Sequence, residues 1–239
     1  MRITEEEKLM YEVMKAIYDG GIPISFKGSM VLKACLLEAG YLYETRHTVD
    51  IDANWNSDAS PTAEQMVNSL QAALQKSHIN LEVSIYRMYG DGRSAGFELT
   101  ERNTGEVLFT MDIDVNRPIP PTKIYEVDGL RFCGASPSQM IADKILVVSS
   151  GRVFRRVKDV IDLYYLSKVF DFDKEDIVNT IKNSGKELGM FNEFLDGSEN
   201  LRHAYGKFRF AGNVDKPAFD EVYSAVKTYI KDILPEEGE

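Results

Sequence analysis

What most restricts how this chain can fold is a strict alternation of apolar and acidic residues at two places far apart in the sequence. Residues 108 to 115 read Leu-Phe-Thr-Met-Asp-Ile-Asp-Val, so that Phe109, Met111, Ile113 and Val115 alternate with Thr110, Asp112 and Asp114. Residues 49 to 52 repeat the pattern as Val-Asp-Ile-Asp. A period of two belongs to a β-strand, whose successive side chains leave opposite faces. Each stretch therefore predicts a strand with carboxylates on one face and a core on the other. Like charges held that close repel unless something positive sits between them, and the usual solution is a hard divalent cation with oxygen ligands. If the two strands are neighbours, Asp50, Asp52 and one of Asp112 or Asp114 form the carboxylate set of two-metal phosphoryl or nucleotidyl transfer, with ions roughly 3.5–4 Å apart.

The complementary half lies just upstream. A short apolar strand over residues 22 to 26 runs into Gly28-Ser29, and residues 29 to 39 then read as a helix with Val31, Leu32, Cys35, Leu36 and Ala39 on one stripe and Gly40 as its stop. A glycine at a helix start lets backbone approach a ligand closely and leaves N–H groups aimed outward, which makes an anion site. A phosphate on Gly28-Ser29 and a metal on Asp50 and Asp52 together describe a site for a nucleoside triphosphate. Lys27 faces either the phosphates or solvent. Arg46 is either a guanidinium fork on a phosphate or a surface arginine near paired acids, and His47 reads as a surface histidine. Thr48 shares the face of Asp50 and Asp52 and is placed to steady the site by hydrogen bonding. A lone D-x-D or Gly-Ser is usually an ordinary surface feature; their order, and the second acidic strand, give them weight.

The remaining chain reads as scaffold. Thr4-Glu5-Glu6-Glu7 is a capping box that opens an amphipathic helix ending at Gly20-Gly21. Ser60-Pro61 reads as an N-cap with a first-position proline. Strands are predicted over 79–89, 95–102 and 106–116, the last two joined by a turn at Asn103-Thr104-Gly105, and a further hairpin turns at Asp128-Gly129. From Ser136-Pro137 onward the pattern is helical, which places a boundary between a mixed α/β subdomain (1–135) and a helical one (136–239). In the helix over 137–150, Ile141, Ile145 and Val148 face the core, and Lys144 sits one step off that stripe, where a lysine is usually solvated. In the next helix Asp159 and Asp162 share a face, with Arg155 and Arg156 as ion-pair partners one turn earlier. Arg152, Arg155, Arg156 and Lys158 are the densest basic cluster and the best local candidate for a triphosphate or nucleic-acid contact. Asp173 caps another helix, the segment 186–205 packs as helix, and a last amphipathic helix spans 213–234.

With 38 acidic against 28 basic side chains, the formal charge of −10 argues against a broad nonspecific nucleic-acid surface, because such binding is driven by Lys and Arg releasing counterions. No apolar run reaches the roughly 18–20 residues of a membrane span, and the amino terminus is an acidic helix start rather than a signal peptide. The expected setting is the cytoplasm, with no membrane partner. Cys35 and Cys133 lie in apolar contexts without metal-ligand spacing and read as buried thiols.

Taken together, Phe26-Lys27-Gly28-Ser29, Arg46-x-Thr48-x-Asp50-Ile51-Asp52, the Asp112 strand, Ala142-Asp143-Lys144 and Lys158-Asp159-x-x-Asp162-Leu163-Tyr164 resemble the AbiEii/AbiGii nucleotidyltransferase toxins. These belong to the DNA-polymerase-β-like nucleotidyltransferase superfamily. The resemblance spans residues 24 to about 170, and the interval from Ser29 to Asp50 is longer than in compact members of that superfamily. It implies an α+β fold in which a mixed sheet flanked by helices precedes a C-terminal helical subdomain. It also implies metal-dependent transfer of a nucleoside monophosphate from an NTP to an acceptor hydroxyl, with Mg²⁺ or Mn²⁺ on Asp50, Asp52 and Asp112 (or Asp114). Lys144 corresponds to the lysine that contacts the nucleotide phosphates, and Asp159 to a residue that positions Lys144 or the nucleotide. The implied partners are tRNA or another RNA as acceptor and a cognate antitoxin. The alternatives are a small-molecule or protein nucleotidyltransferase, and a non-catalytic nucleotide- or partner-binding protein of the same fold.

Overall fold

The computed structural model describes residues 3–41, 48, 50–57, 59–90, 94–115, 118–210 and 216–235. Arg46 and His47 lie outside these residues, as do the start of the last predicted helix at Asn213 and the tail from Glu236. The chain divides into two compact units, one formed by Met1–Glu38 and Thr48–Ser136, the other by Ala39–His47 and Pro137–Glu239.

The first unit contains, in order, α1 (Glu5–Asp19), β1 (Ile24–Lys27), α2 (Gly28–Glu38), β2 (Asp50–Trp55), α3 (Ala63–Lys76), β3 (Leu81–Tyr89), β4 (Ser94–Glu101), β5 (Val107–Asp114), β6 (Thr122–Val127) and β7 (Leu130–Ala135). Among the described residues the strands make one seven-stranded sheet in the order β3-β4-β5-β2-β1-β7-β6. β2 pairs with β5 and β1 with β7 in parallel, and the other neighbours are antiparallel. The β6–β7 hairpin turns on Asp128 and Gly129, both at positive φ (50° and 79°), as a two-residue turn matched to strand twist demands. One sheet face carries Phe26, Ile51, Ala53, Phe97, Met111 and Ile113, each no more than 2% exposed. Helices α1 and α3 pack together, α1 against β7 and α3 against β3.

The start of α1 shows how local signals and packing reinforce each other. The Thr4 hydroxyl accepts from the Glu7 amide (3.1 Å) and the Glu7 carboxylate accepts from the Thr4 amide (3.0 Å), the predicted capping box. The same carboxylate, 3% exposed, receives Lys33 of α2 on both oxygens at 2.7 Å. Tyr11 adds a buried hydrogen bond from its hydroxyl to the Met30 carbonyl (3.0 Å). Helix α3 begins later than expected: Thr62, not Ser60, is its N-cap, because Thr62 and Gln65 form the reciprocal box (3.3 and 2.9 Å) and Pro61 lies before the helix.

The second unit contains α4 (Pro137–Ser149), a 3₁₀ turn (Val153–Arg156), α5 (Val157–Leu166), α6 (Lys174–Asn183), α7 (Asn192–Leu195), α8 (Ser198–Lys207), α9 (Phe219–Tyr229) and a 3₁₀ turn (Lys231–Ile233). Asp173 caps α6 by accepting from the Asp176 amide (3.0 Å). The segment 186–205 is not one helix. Phe191 is buried at φ 58°, a left-handed conformation that α-helical continuation does not permit, and two short helices follow it. The last helix is likewise shorter than expected, starting at Phe219 just after Pro217.

Glu7 thus has two functions that mutation separates. Thr4→Ala removes only the cap, at a cost of about 1 kcal/mol. Glu7→Ala also leaves Lys33 without its buried partner and is expected to cost about 3 kcal/mol or more. Urea unfolding midpoints that fall equally for the two variants would show that the Lys33 pair contributes nothing.

Candidate functional site

Strand register converts the sequence alternation into a polar row. Lys27 on β1 is level with Asp52 on β2, Asp52 with Asp112 on β5, and Asp112 with Gly96 on β4. One row to either side runs Asp50–Thr110–Glu98 and Ser25–Asn54–Asp114. Register partners share a face, so these groups project opposite to the buried Ile51, Ala53, Met111 and Ile113. Neighbouring strands lie about 4.8 Å apart, which makes Asp52 and Asp112 adjacent acids on parallel strands. The neighbourhood expected of the two acidic strands is therefore present.

Each acid in the row has a defined surrounding. Asp52 stands against Gly28: a Cβ at Gly28 would lie 2.4 Å from Asp52 Oδ2, and Gly28 also sits at φ +73°. Glycine is required there twice, by conformation and by space. The next residue, Ser29, is buried and its Oγ accepts from the Thr48 hydroxyl at 2.8 Å, tying the approach to β2 onto the start of α2. Lys27 points neither simply to solvent nor to an open site. Its ammonium donates to Asn54 Oδ1 (2.8 Å) and Asp114 Oδ2 (2.7 Å). Asp112 accepts from the Tyr86 hydroxyl at 3.2 Å on one oxygen and from Arg87 on the other. Asp50 is exposed at the start of β2.

Among the described residues, no three His, Cys, Asp or Glu side chains gather closely enough to hold a metal ion. Asp112 and Asp114 are instead each paired with a cation, Arg87 and Lys27. The donor set nevertheless suits a hard divalent cation, because Asp52 and Asp112 offer carboxylate oxygens from level positions on adjacent strands. The missing Cβ at Gly28 keeps the Asp52 carboxylate close to the start of α2.

In the second unit, Lys144 of α4 donates to Asp159 Oδ1 (2.8 Å) and Asp162 Oδ2 (2.7 Å) of α5. Arg156 Nε donates to the other oxygen of Asp159 at 2.7 Å. Two cations face two anions, and both carboxylates are 1% exposed. The i, i+3 spacing of Asp159 and Asp162 presents both to the same ammonium. Lys144 is consequently ion-paired and mostly covered, its side chain 14% exposed, rather than solvated. Its burial opposes the charge, yet the pull of Asp162 and Asp159 prevails and raises its pKa well above the ordinary lysine range. Burial likewise works against the Asp159 carboxylate, and Lys144 and Arg156 overcome it, holding its pKa below the ordinary value. Of the other basic residues, Arg155 lies over the Phe154 ring at 5.8 Å.

Sequence reasoning missed Asn54, Tyr86, Arg87 and Gly96. Asn54 continues the period of Asp50 and Asp52 and was open to detection. Gly96 is a glycine inside a strand pattern, a signal of close approach. A Cβ there would lie 2.5 Å from Tyr86 Cε1 and 2.7 Å from Asp112 Oδ1.

The Lys144 triad gives a stability prediction with a pH signature. Lys144→Ala removes one cationic partner from each of two buried carboxylates, leaving Arg156 on Asp159, and is expected to cost about 3 kcal/mol in urea unfolding at pH 7. In the parent protein the lowered Asp159 pKa contributes stability that is complete above the unfolded value of about 3.9 and is lost as pH falls through the folded value. The raised Lys144 pKa contributes stability that is complete below about 10.4 and is lost only as pH rises through its folded value. The difference between the two proteins should therefore narrow on acidification below roughly pH 4, as the parent loses the Asp159 contribution. A difference independent of pH would contradict this account.

No curated protein sequence matches. Among solved structures, the fold is similar to MenT4, a nucleotidyltransferase toxin from Mycobacterium tuberculosis H37Rv, with a TM-score of 0.58 and 15% identity over 97% of this chain and 84% of that one. It is also similar to an antigenic nucleotidyltransferase-like protein from Paracoccidioides brasiliensis, with a TM-score of 0.50 and 18% identity over 76% of this chain and 85% of that one. Among the described residues no helix is long and apolar enough to cross a membrane. The model of the family described as nucleotidyl transferase AbiEii toxin, of type IV toxin–antitoxin systems, matches residues 13–225, and the chain belongs to that family.

Proposed function

We propose that the protein transfers a nucleoside monophosphate from an NTP to an acceptor hydroxyl on tRNA or another RNA, as the toxin of a toxin–antitoxin pair. The observation that carries this reading is the level placement of Asp52 and Asp112 on adjacent parallel strands, with Asp52 against the Gly28-Ser29 start of α2. In the reaction the acceptor oxygen attacks the α-phosphorus, the bond to the β-phosphate oxygen breaks, and pyrophosphate leaves. Backbone N–H groups at Gly28-Ser29 cradle the triphosphate. Asp50, Asp52 and Asp112 would hold Mg²⁺ or Mn²⁺, which supplies Lewis-acid neutralisation of phosphoryl oxygens and acidifies the acceptor hydroxyl. Register favours Asp112 over Asp114 as the third acid, since Asp112 is level with Asp52 whereas Asp114 is level with Asn54 and ion-paired with Lys27.

Asp112 is then the group positioned to receive the acceptor proton, directly or through water. By the family resemblance Lys144 is a phosphate-contacting lysine, a cation suited to offset charge on a leaving pyrophosphate. Its buried partners Asp159 and Asp162 keep it protonated and oriented for that role.

Incubation of the protein with each labelled NTP, Mg²⁺ or Mn²⁺ and total RNA should produce labelled RNA. Asp52→Asn keeps the side-chain size but removes a charge from the row, and label transfer should fall roughly a hundredfold or more with an unchanged unfolding midpoint. Transfer at the parental rate by Asp52→Asn would show that the acidic row is not the reaction centre.

A further inference from the structure

Asp112 is held by a construction that the transfer reaction alone does not require. Between β3 and β4 the register passes from Ile85↔Phe97 to Arg87↔Gly96, so Tyr86 is an extra residue in a β-bulge. Without the bulge, alternation would send Tyr86 and Arg87 to opposite faces. With it, two consecutive side chains reach the polar face, and both end on the same carboxylate. The Tyr86 hydroxyl donates to Asp112 Oδ1 at 3.2 Å and the Arg87 guanidinium to Oδ2.

Two further features keep this arrangement in place. Gly96, level with Asp112, has no Cβ, and the Tyr86 ring and Asp112 Oδ1 occupy the space one would fill, 2.5 and 2.7 Å from its position. The Arg87 guanidinium is also flanked by aromatic rings, 5.0 Å from the centre of Tyr86 and 5.6 Å from that of Tyr89. A bulge, a glycine and two rings thus converge on one exposed ion pair.

We propose that Arg87, delivered by the Tyr86 bulge, is the resting-state counter-ion of Asp112 and must be displaced before a divalent cation can be shared between Asp112 and Asp52. The inference rests on the metal-dependent reading above. Asp112 is adjacent to Asp52, but both its oxygens accept from β3 side chains, and a guanidinium on one of them repels an arriving cation. The exchange is feasible because the pair is open to water, with the Arg87 side chain 51% exposed and that of Asp112 25% exposed. Screened pairs of this kind are weak. Arg87 is then a positioning residue that sets the metal affinity of the row and keeps Asp112 neutralised until the cation binds.

The test is Mn²⁺ binding to the nucleotide-free protein, measured by electron paramagnetic resonance of the unbound ion. Arg87→Gln should bind Mn²⁺ roughly two- to fivefold more tightly than the parent, the factor expected from losing one exposed competing pair. Arg87→Lys, which keeps the charge, should bind like the parent, a rescue that a merely structural role for the side chain would not give. Equal or weaker binding by Arg87→Gln, with parental Mn²⁺ binding that Asp52→Asn abolishes, would overturn the exchange while leaving the metal site standing. Absence of Mn²⁺ binding in every variant, or binding unaffected by Asp52→Asn, would overturn both the exchange and the metal-dependent reading.

Discussion

The parallel pairing of β2 with β5 is the contact on which the rest of the first unit depends. The two strands are separated in the sequence by α3, β3 and β4, yet five consecutive residue pairs, from Asp50↔Thr110 to Asn54↔Asp114, lie level with each other. Because side chains alternate with a period of two, a slip of one residue would turn Asp112 into the core and Met111 out of it. The hydrophobic face fixes the register, and the register places Asp112 beside Asp52. Packing and the candidate chemistry are consequences of one pattern of alternation.

That pattern was legible in the sequence, and so were the features governed by neighbours in the chain. The Thr4–Glu7 box, the Asp173 cap and the Asp128-Gly129 hairpin each depend on residues within a few positions of one another, and each is present in the structure. The features that escaped depend on distant partners. By periodicity alone Lys144 looks like a surface lysine until α5 supplies two carboxylates, although the family resemblance implied Asp159 as a residue positioning it or the nucleotide, and Lys27 looks ambiguous until β5 brings Asp114. Tyr86 and Arg87 are hidden for another reason: the bulge abolishes the period of two at the point where they become informative. The break at Phe191 belongs with these, since an apolar residue in a left-handed conformation leaves no mark on composition or periodicity.

Both units neutralise their acids with cations from a different element, but burial gives the pairs different consequences. Asp159 and Asp162 are 1% exposed, and Lys144 cannot leave them without uncovering charge in a poorly solvated interior. Loss of one partner from such a group costs several kcal/mol. That triad is therefore a fixed support whose lysine keeps one geometry and one protonation state. The Arg87–Asp112 pair is open to water, where an ion pair contributes only about 0–1 kcal/mol, so a better cation can replace it. Lys27 and Asp114, with side chains 23% and 24% exposed, lie between these limits, and the additional bond from Lys27 to Asn54 strengthens that pair. The difference lies in the cation: the Arg87 side chain is 51% exposed whereas that of Lys144 is 14% exposed, so the counter-ion of Asp112 can be exchanged where that of Asp159 and Asp162 cannot, and Asp112 is also the acid that register places beside Asp52.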